Sequence, residues 1–96
     1  MIVHIVMWEL KDENKSENLA ALKSALEGLV GKVPTLGKLE VGVNFSPRDV
    51  ARDIVLYSEF ESKEDLQAYA VHPEHVKVIE LVKQVASETR VVDYEK

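Results

Sequence analysis

The chain contains no cysteine. That removes a disulfide framework, a thiol nucleophile and any cysteine-ligated zinc or iron–sulfur centre, and it suits a reducing cytoplasmic location. Positive charge is also in short supply. Twelve Lys and Arg stand against seventeen Asp and Glu, the net charge is −5, and the basic residues are scattered along the chain. A nucleic-acid groove or an anionic membrane surface needs a concentrated positive field, so neither partner is expected. Long apolar runs are missing as well. Ile2 to Leu10 is interrupted by His4 and Glu9, is too short to span a bilayer and lacks a basic start, so it reads as a strand rather than a signal segment. The three prolines and four glycines are few enough to act as punctuation. What remains is 96 residues with 46% hydrophobic content, enough for one core but not two, so a single domain over residues 1–96 is expected.

The β-branched and aromatic residues of Ile2 to Leu10 predict a first strand, closed by the polar stretch Lys11 to Lys15. Ser16 is placed to cap a helix in which Leu19, Leu22, Leu26, Leu29 and Val33 recur at helical spacing, with Gly31 and Pro34 as its stop. Leu39, Val41, Val43 and Phe45 then alternate with Glu40, Gly42 and Asn44, the period of a strand with one buried face. Ser46 to Asp49 breaks it, and Ile54 to Phe60 is close enough in sequence to return as a hairpin partner. Whether Ser46 to Ala51 is a lid or only a loop is not written in its residues. Ser62 with Asp65 three positions on is an imperfect capping box for a second helix through Leu66 and Tyr69. Pro73 disfavours helical backbone at His72 but suits a first helical turn, so a break at His72 and a new helix from Pro73 to about Ala86 are expected. Thr89 to Tyr94 supplies a fourth strand.

Two αβ units around a central hairpin give the β-α-β-β-α-β order of an α+β, ferredoxin-like domain: a four-stranded antiparallel sheet with helices on one face. Its first and third strands would be central, and neither face of them is polar. Helices can cover one face only, so a lone monomer is expected to leave Val3, Ile5, Met7, Val55, Tyr57, Val92 and Tyr94 facing water. An apolar patch of that kind marks an interface, and a two-fold homodimer is the commonest way to close one. A distorted or partly covered sheet is the alternative.

Chemistry falls to three histidines and a tyrosine. His75, Val78, Ile79, Val82, Val85 and Ala86 share one side of the last helix, opposite Glu74, Lys77, Glu80 and Gln84, so His75 faces inward. Tyr69 lies one turn beyond Leu66 on the buried side of the second helix. His4 alternates with Val6 and Trp8 on a central strand. If that is the helix face, these groups line one pocket walled by Val6, Trp8, Leu56 and Ile79. Each has a plain structural alternative: His4 as a satisfied core histidine, His72 as the cap of the helix at Pro73, Tyr69 as a core aromatic with a bonded hydroxyl, and Trp8 as packing. A three-histidine metal site is not expected, because no obvious acidic ligand lies beside these residues.

Met1 to Met7, Glu40 to Asn44, Ser58 to Ser62, the segment Tyr69-Ala70-Val71-His72-Pro73-Glu74-His75-Val76 and the closing Val92-Asp93-Tyr94 together resemble the stress-responsive A/B barrel family, also called dimeric A/B barrel or Dabb domains. The resemblance covers essentially the whole chain, and Tyr-x-x-His-Pro-x-His is its most specific part. It implies a ferredoxin-like monomer and a homodimer whose two sheets form a barrel. Many members have no assigned reaction. One characterised member, a plant olivetolic acid cyclase, closes a linear polyketide thioester by an aldol-type condensation that keeps the carboxylate. By that resemblance His75 matches a catalytic histidine, Tyr69 a catalytic tyrosine, and His4 and His72 pocket histidines, with no metal or organic cofactor. Trp8, Ser58, Ala70 and Val71 depart from it, so the substrate does not carry over. Two functions stay open: a cofactor-independent lyase or binder acting on a small hydrophobic carbonyl compound, and a noncatalytic stress-associated dimer.

Overall fold

Strand β1 (Ile2–Leu10) is followed by helix α1 (Lys15–Glu27), strands β2 (Lys38–Val43) and β3 (Ile54–Phe60), helices α2 (Lys63–Val71) and α3 (Pro73–Val85), and strand β4 (Ala86–Glu95). These elements come from a computed structural model that describes residues 1–96. The strands form one antiparallel sheet in the order β2-β3-β1-β4, the ferredoxin-like arrangement, with β1 and β3 in the middle.

Side chains alternate across a strand. Strand β1 therefore sends Ile2, Val6, Trp8 and Leu10 into the core under the helices, where they meet Ile54, Leu56 and Phe60 of β3. Leu22 and Leu26 of α1, Tyr69 of α2, and Val78 and Val85 of α3 close the core from above. Ile5, Met7, Val55 and Tyr57 point to the other face, which no helix covers. No helix in the chain is long and apolar enough to cross a membrane.

Four local expectations need correction. Ser16 does not cap α1. The cap position is Asn14, held at φ 55°, a left-handed conformation that asparagine tolerates, and the helix has already begun when Ser16 is reached. Helix α1 also stops early. Its C-cap is Gly28, and Leu29 and Val33 reach the core from the turns beyond it, so the apolar spacing outlasts the helix. Phe45 does not continue β2. Asn44 Nδ2 donates to the Ser46 carbonyl and Ser46 N donates to Asn44 Oδ1, at 2.9 and 3.0 Å, a local turn that takes the backbone out of the ladder and leaves Phe45 98% exposed. Strand β4 is longer than its apolar stretch, because its pairing with β1 runs from Ala86 opposite Leu10 to Glu95 opposite Ile2.

The segment around the second helix pair follows its sequence. Ser62 Oγ accepts from Asp65 N at 3.1 Å at the start of α2. His72 adopts an extended conformation before Pro73, which opens α3. In the first turn of α3 beyond that break, His75 lines one cavity with His4, Val6 and Trp8 of β1.

Candidate functional site

A mostly apolar cavity of about 340 Å³ lies between α3 and the strands β1, β3 and β4. Its walls include Val6, Trp8, Leu56 and Ile79, the four wall residues expected from the sequence, together with Val78 and Val82. His4 and His75 line it as well.

Helix α3 positions His75 one turn after the His72 break. His75 Nδ1 lies 3.0 Å from the carbonyl oxygen of Ala70. A carbonyl only accepts, so Nδ1 carries the hydrogen in this contact and the lone pair of the neutral ring sits on Nε2. Burial lowers the His75 pKa below the ordinary 6.5, against the raising effect of the Ala70 contact, and His4 and His72 lower it further by charge. The imidazole is thus neutral near pH 7 and has a free basic nitrogen.

Tyr69 packs directly on it. The two rings are 4.2 Å apart between centroids, and Tyr69 also contacts Phe60 at 5.0 Å and His4 at 6.2 Å. Tyr69 is 1% exposed and stands behind the histidines rather than in the cavity wall. Its hydroxyl has no hydrogen-bond partner, contrary to the expectation of a bonded core tyrosine. A buried polar group in that state costs about 1–3 kcal/mol. Burial also pushes the phenol up to about 12, so the group stays protonated and is a donor in want of an acceptor.

His4 has a partner that the sequence did not reveal. Its Nδ1 contacts Asp93 Oδ1, because the β1–β4 register puts Asp93 directly opposite it. The His4 carbonyl accepts from Ser58 Oγ at 3.1 Å, and Ser58 is the one buried polar residue. The contact with a carboxylate, an acceptor, fixes a hydrogen on Nδ1, as the Ala70 carbonyl does for His75. The view that no acidic residue accompanies the histidines is therefore overturned.

His72 is not brought to the cavity. Its Nδ1 accepts from Glu74 N at 3.1 Å and so caps α3, the alternative already visible in the sequence. Val78 and Val82 were foreshadowed by helical periodicity. Asp93, Thr89 and Val91 alternate on β4, but assigning them to the site requires knowing that β4 lies beside β1. No group of three or more His, Asp or Glu side chains is placed to hold a metal ion. The arrangement offers the neutral imidazole of His75, the carboxylate-held imidazole of His4 and one phenol, a set suited to moving protons in an apolar setting.

Comparison with known proteins places the chain. The model of the Stress responsive A/B Barrel Domain family, Dabb, matches residues 2–96. The chain belongs to the Dabb family. Within it, this Dabb domain is 33% identical over 95 residues to a stress-response A/B barrel domain-containing protein of Arabidopsis thaliana, a match covering 98% of the chain and 36% of that protein. It spans less than half the length of the curated relatives it matches. Among solved structures, a dimeric protein of unknown function with a ferredoxin-like fold from Bacteroides fragilis is 35% identical, with a TM-score of 0.89 and coverage of 99% of this chain and 95% of that one. A hydroxynitrile lyase from Passiflora edulis superimposes with a TM-score of 0.86 over 97% of this Dabb domain and 90% of the lyase. At 16% identity that likeness is one of fold alone.

Proposed function

We propose that this Dabb domain works as a cytoplasmic homodimer that binds a small, largely apolar carbonyl compound and transforms it by proton transfer, with His75 as general base and Tyr69 as the acid that orients the carbonyl oxygen. One observation carries the reading. At one end of an apolar cavity, a neutral histidine with a free Nε2 is packed against a tyrosine whose protonated hydroxyl has no partner. In the proposed reaction, Nε2 takes a proton from a carbon next to the carbonyl, and negative charge builds on the carbonyl oxygen. The phenol, drawn forward from behind the histidines when the substrate binds, offers its hydrogen to that oxygen. The enolate so formed adds to an electrophilic carbon of the same molecule, the ring closure of a polyketide-like substrate, and the imidazolium returns its proton to the new alkoxide. General acid–base chemistry of this kind requires no cofactor. A lyase on the same fold in Passiflora edulis accords with such a use of the scaffold.

The homodimer is supported by the uncovered face, where Met7, Val92 and Tyr94 are 39%, 55% and 43% exposed, and by the dimeric state stated for the Bacteroides fragilis relative.

Deuterium exchange at the carbon beside a simple methyl ketone, followed by NMR in heavy water, tests the chemistry. The protein is expected to accelerate exchange, and His75→Ala to reduce it to the buffer rate while the fold persists. Full exchange in the variant eliminates His75 as the base. No acceleration by the native protein favours a noncatalytic dimer.

A further inference from the structure

The cavity has two polar ends. His4 and His75 occupy one, and Lys83 and Thr89 occupy the other, with Val6, Ile79 and Val82 between them. From His75 to Lys83 the helix rises about 12 Å. Strand β4 spans the same length, since Asp93 is opposite His4 and Thr89 is opposite Trp8.

The charge of the lining differs from that of the chain. The net charge is −5, yet no Asp or Glu lines this cavity, and Lys83 is its one permanently charged group. The carboxylates in contact with lining residues are Asp93, engaged with His4, and Glu80, 3.4 Å from the Lys83 ammonium. The Lys83–Glu80 pair lies one helical turn apart on open surface, with side chains 67% and 61% exposed. Such a pair is weak, and the ammonium can turn to an anion that also buries an apolar body. Lys83 complements the C-terminal end of the α3 dipole as well, but that role does not require a place on the cavity rim.

We infer that the ligand is an amphiphilic anion, with its carbonyl at the histidine end, a carboxylate or similar anionic group at Lys83, and an apolar chain or ring bridging the roughly 12 Å between. This rests on the carbonyl chemistry proposed for His75. It goes beyond it by naming the far end of the substrate.

Trp8 lines the cavity and is the only tryptophan in the chain, so its fluorescence reports occupancy. The probes are a methyl ketone carrying a terminal carboxylate at about that span, and the methyl ester of the same compound. At low salt the acid should bind at least tenfold more tightly than the ester. Lys83→Gln should weaken the acid to the level of the ester and leave the ester unchanged, whereas Lys83→Arg should keep the preference. Equal binding of acid and ester, binding of neither, or a preference that survives Lys83→Gln overturns the inference. Deuterium exchange at the ketone of the bound acid is read separately. If exchange is absent while the Lys83-dependent preference persists, the base role of His75 fails and the anion site stands.

Discussion

Strand β1 contributes to two unlike surfaces. Val6 and Trp8 are each 5% exposed beneath the helices, while Met7 between them is 39% exposed on the other side of the same strand. Both faces are apolar, so composition does not separate them. What separates them is cover. The helix face gains the leucines of α1 and the valines of α3 and keeps its polar groups few and specific: Ser58, the His4–Asp93 contact and the histidine–tyrosine stack. Apart from Lys38 and Glu40 on the edge strand β2, the open face carries its polar groups at two ends. At one, Tyr57 donates to Glu59 and Lys96 reaches both. At the other, Arg52 and Arg90 hold Glu88. The middle, from Ile5 and Val55 to Val92, is left apolar, as a surface shaped for a second copy would be.

Four measurements can break or sharpen that contrast. The largest effect belongs to the covered face: Phe60→Ala removes a ring that is fully buried and should lower unfolding stability by about 3–5 kcal/mol in a denaturant titration. A loss below about 1 kcal/mol would mean that the helices do not pack the sheet as described. On the open face, Val92→Glu puts two like charges across a two-fold interface. It should raise the dimer dissociation constant at least tenfold by analytical ultracentrifugation, with little change in far-UV circular dichroism. An unchanged association constant would remove this face from the interface.

The third concerns whether the covered face keeps His75 dry. With its folded pKa below 6.5, His75 binds its proton more readily in the unfolded chain. Its contribution to stability is present above pH 6.5 and is lost as pH falls from there through the depressed folded value. His75→Gln should therefore flatten the stability curve in that window, and the rate of ketone exchange by the native protein should hold to lower pH than an ordinary histidine allows. Identical slopes in variant and native protein would refute the burial effect. The smallest change is expected from Asp93→Asn. Asp93 is 46% exposed, so removing its charge from His4 should alter stability by less than about 1 kcal/mol, read by chemical denaturation.

Much of the fold was legible because its signals are local. The break at His72 follows from the steric demand of Pro73 on the residue before it, and the inward side of α3 follows from helical periodicity. Phe45 misled for an equally local reason, since alternation persisted past the Asn44–Ser46 turn that ends the strand. Val3 misled for a distant one. It lies on the open face, where exposure was expected, yet it is 0% exposed: Glu59 and Tyr94 flank it in the ladder, and Lys96, just past the end of β4, bonds to Glu59 and Tyr57 on the same face.

By itself, then, the sequence determined the element types, the two apolar faces and the identity of the inward histidines, because hydrophobic spacing and proline geometry act within a turn or a strand. Only the tertiary structure decided that Asp93 meets His4, that the Tyr69 hydroxyl goes unpaired, that His72 turns away to cap α3, and that Lys83 stands at the far end of the cavity. Those facts depend on strand register and helix placement between residues distant in the chain, and no local pattern encodes a contact until the sheet has brought its partners together.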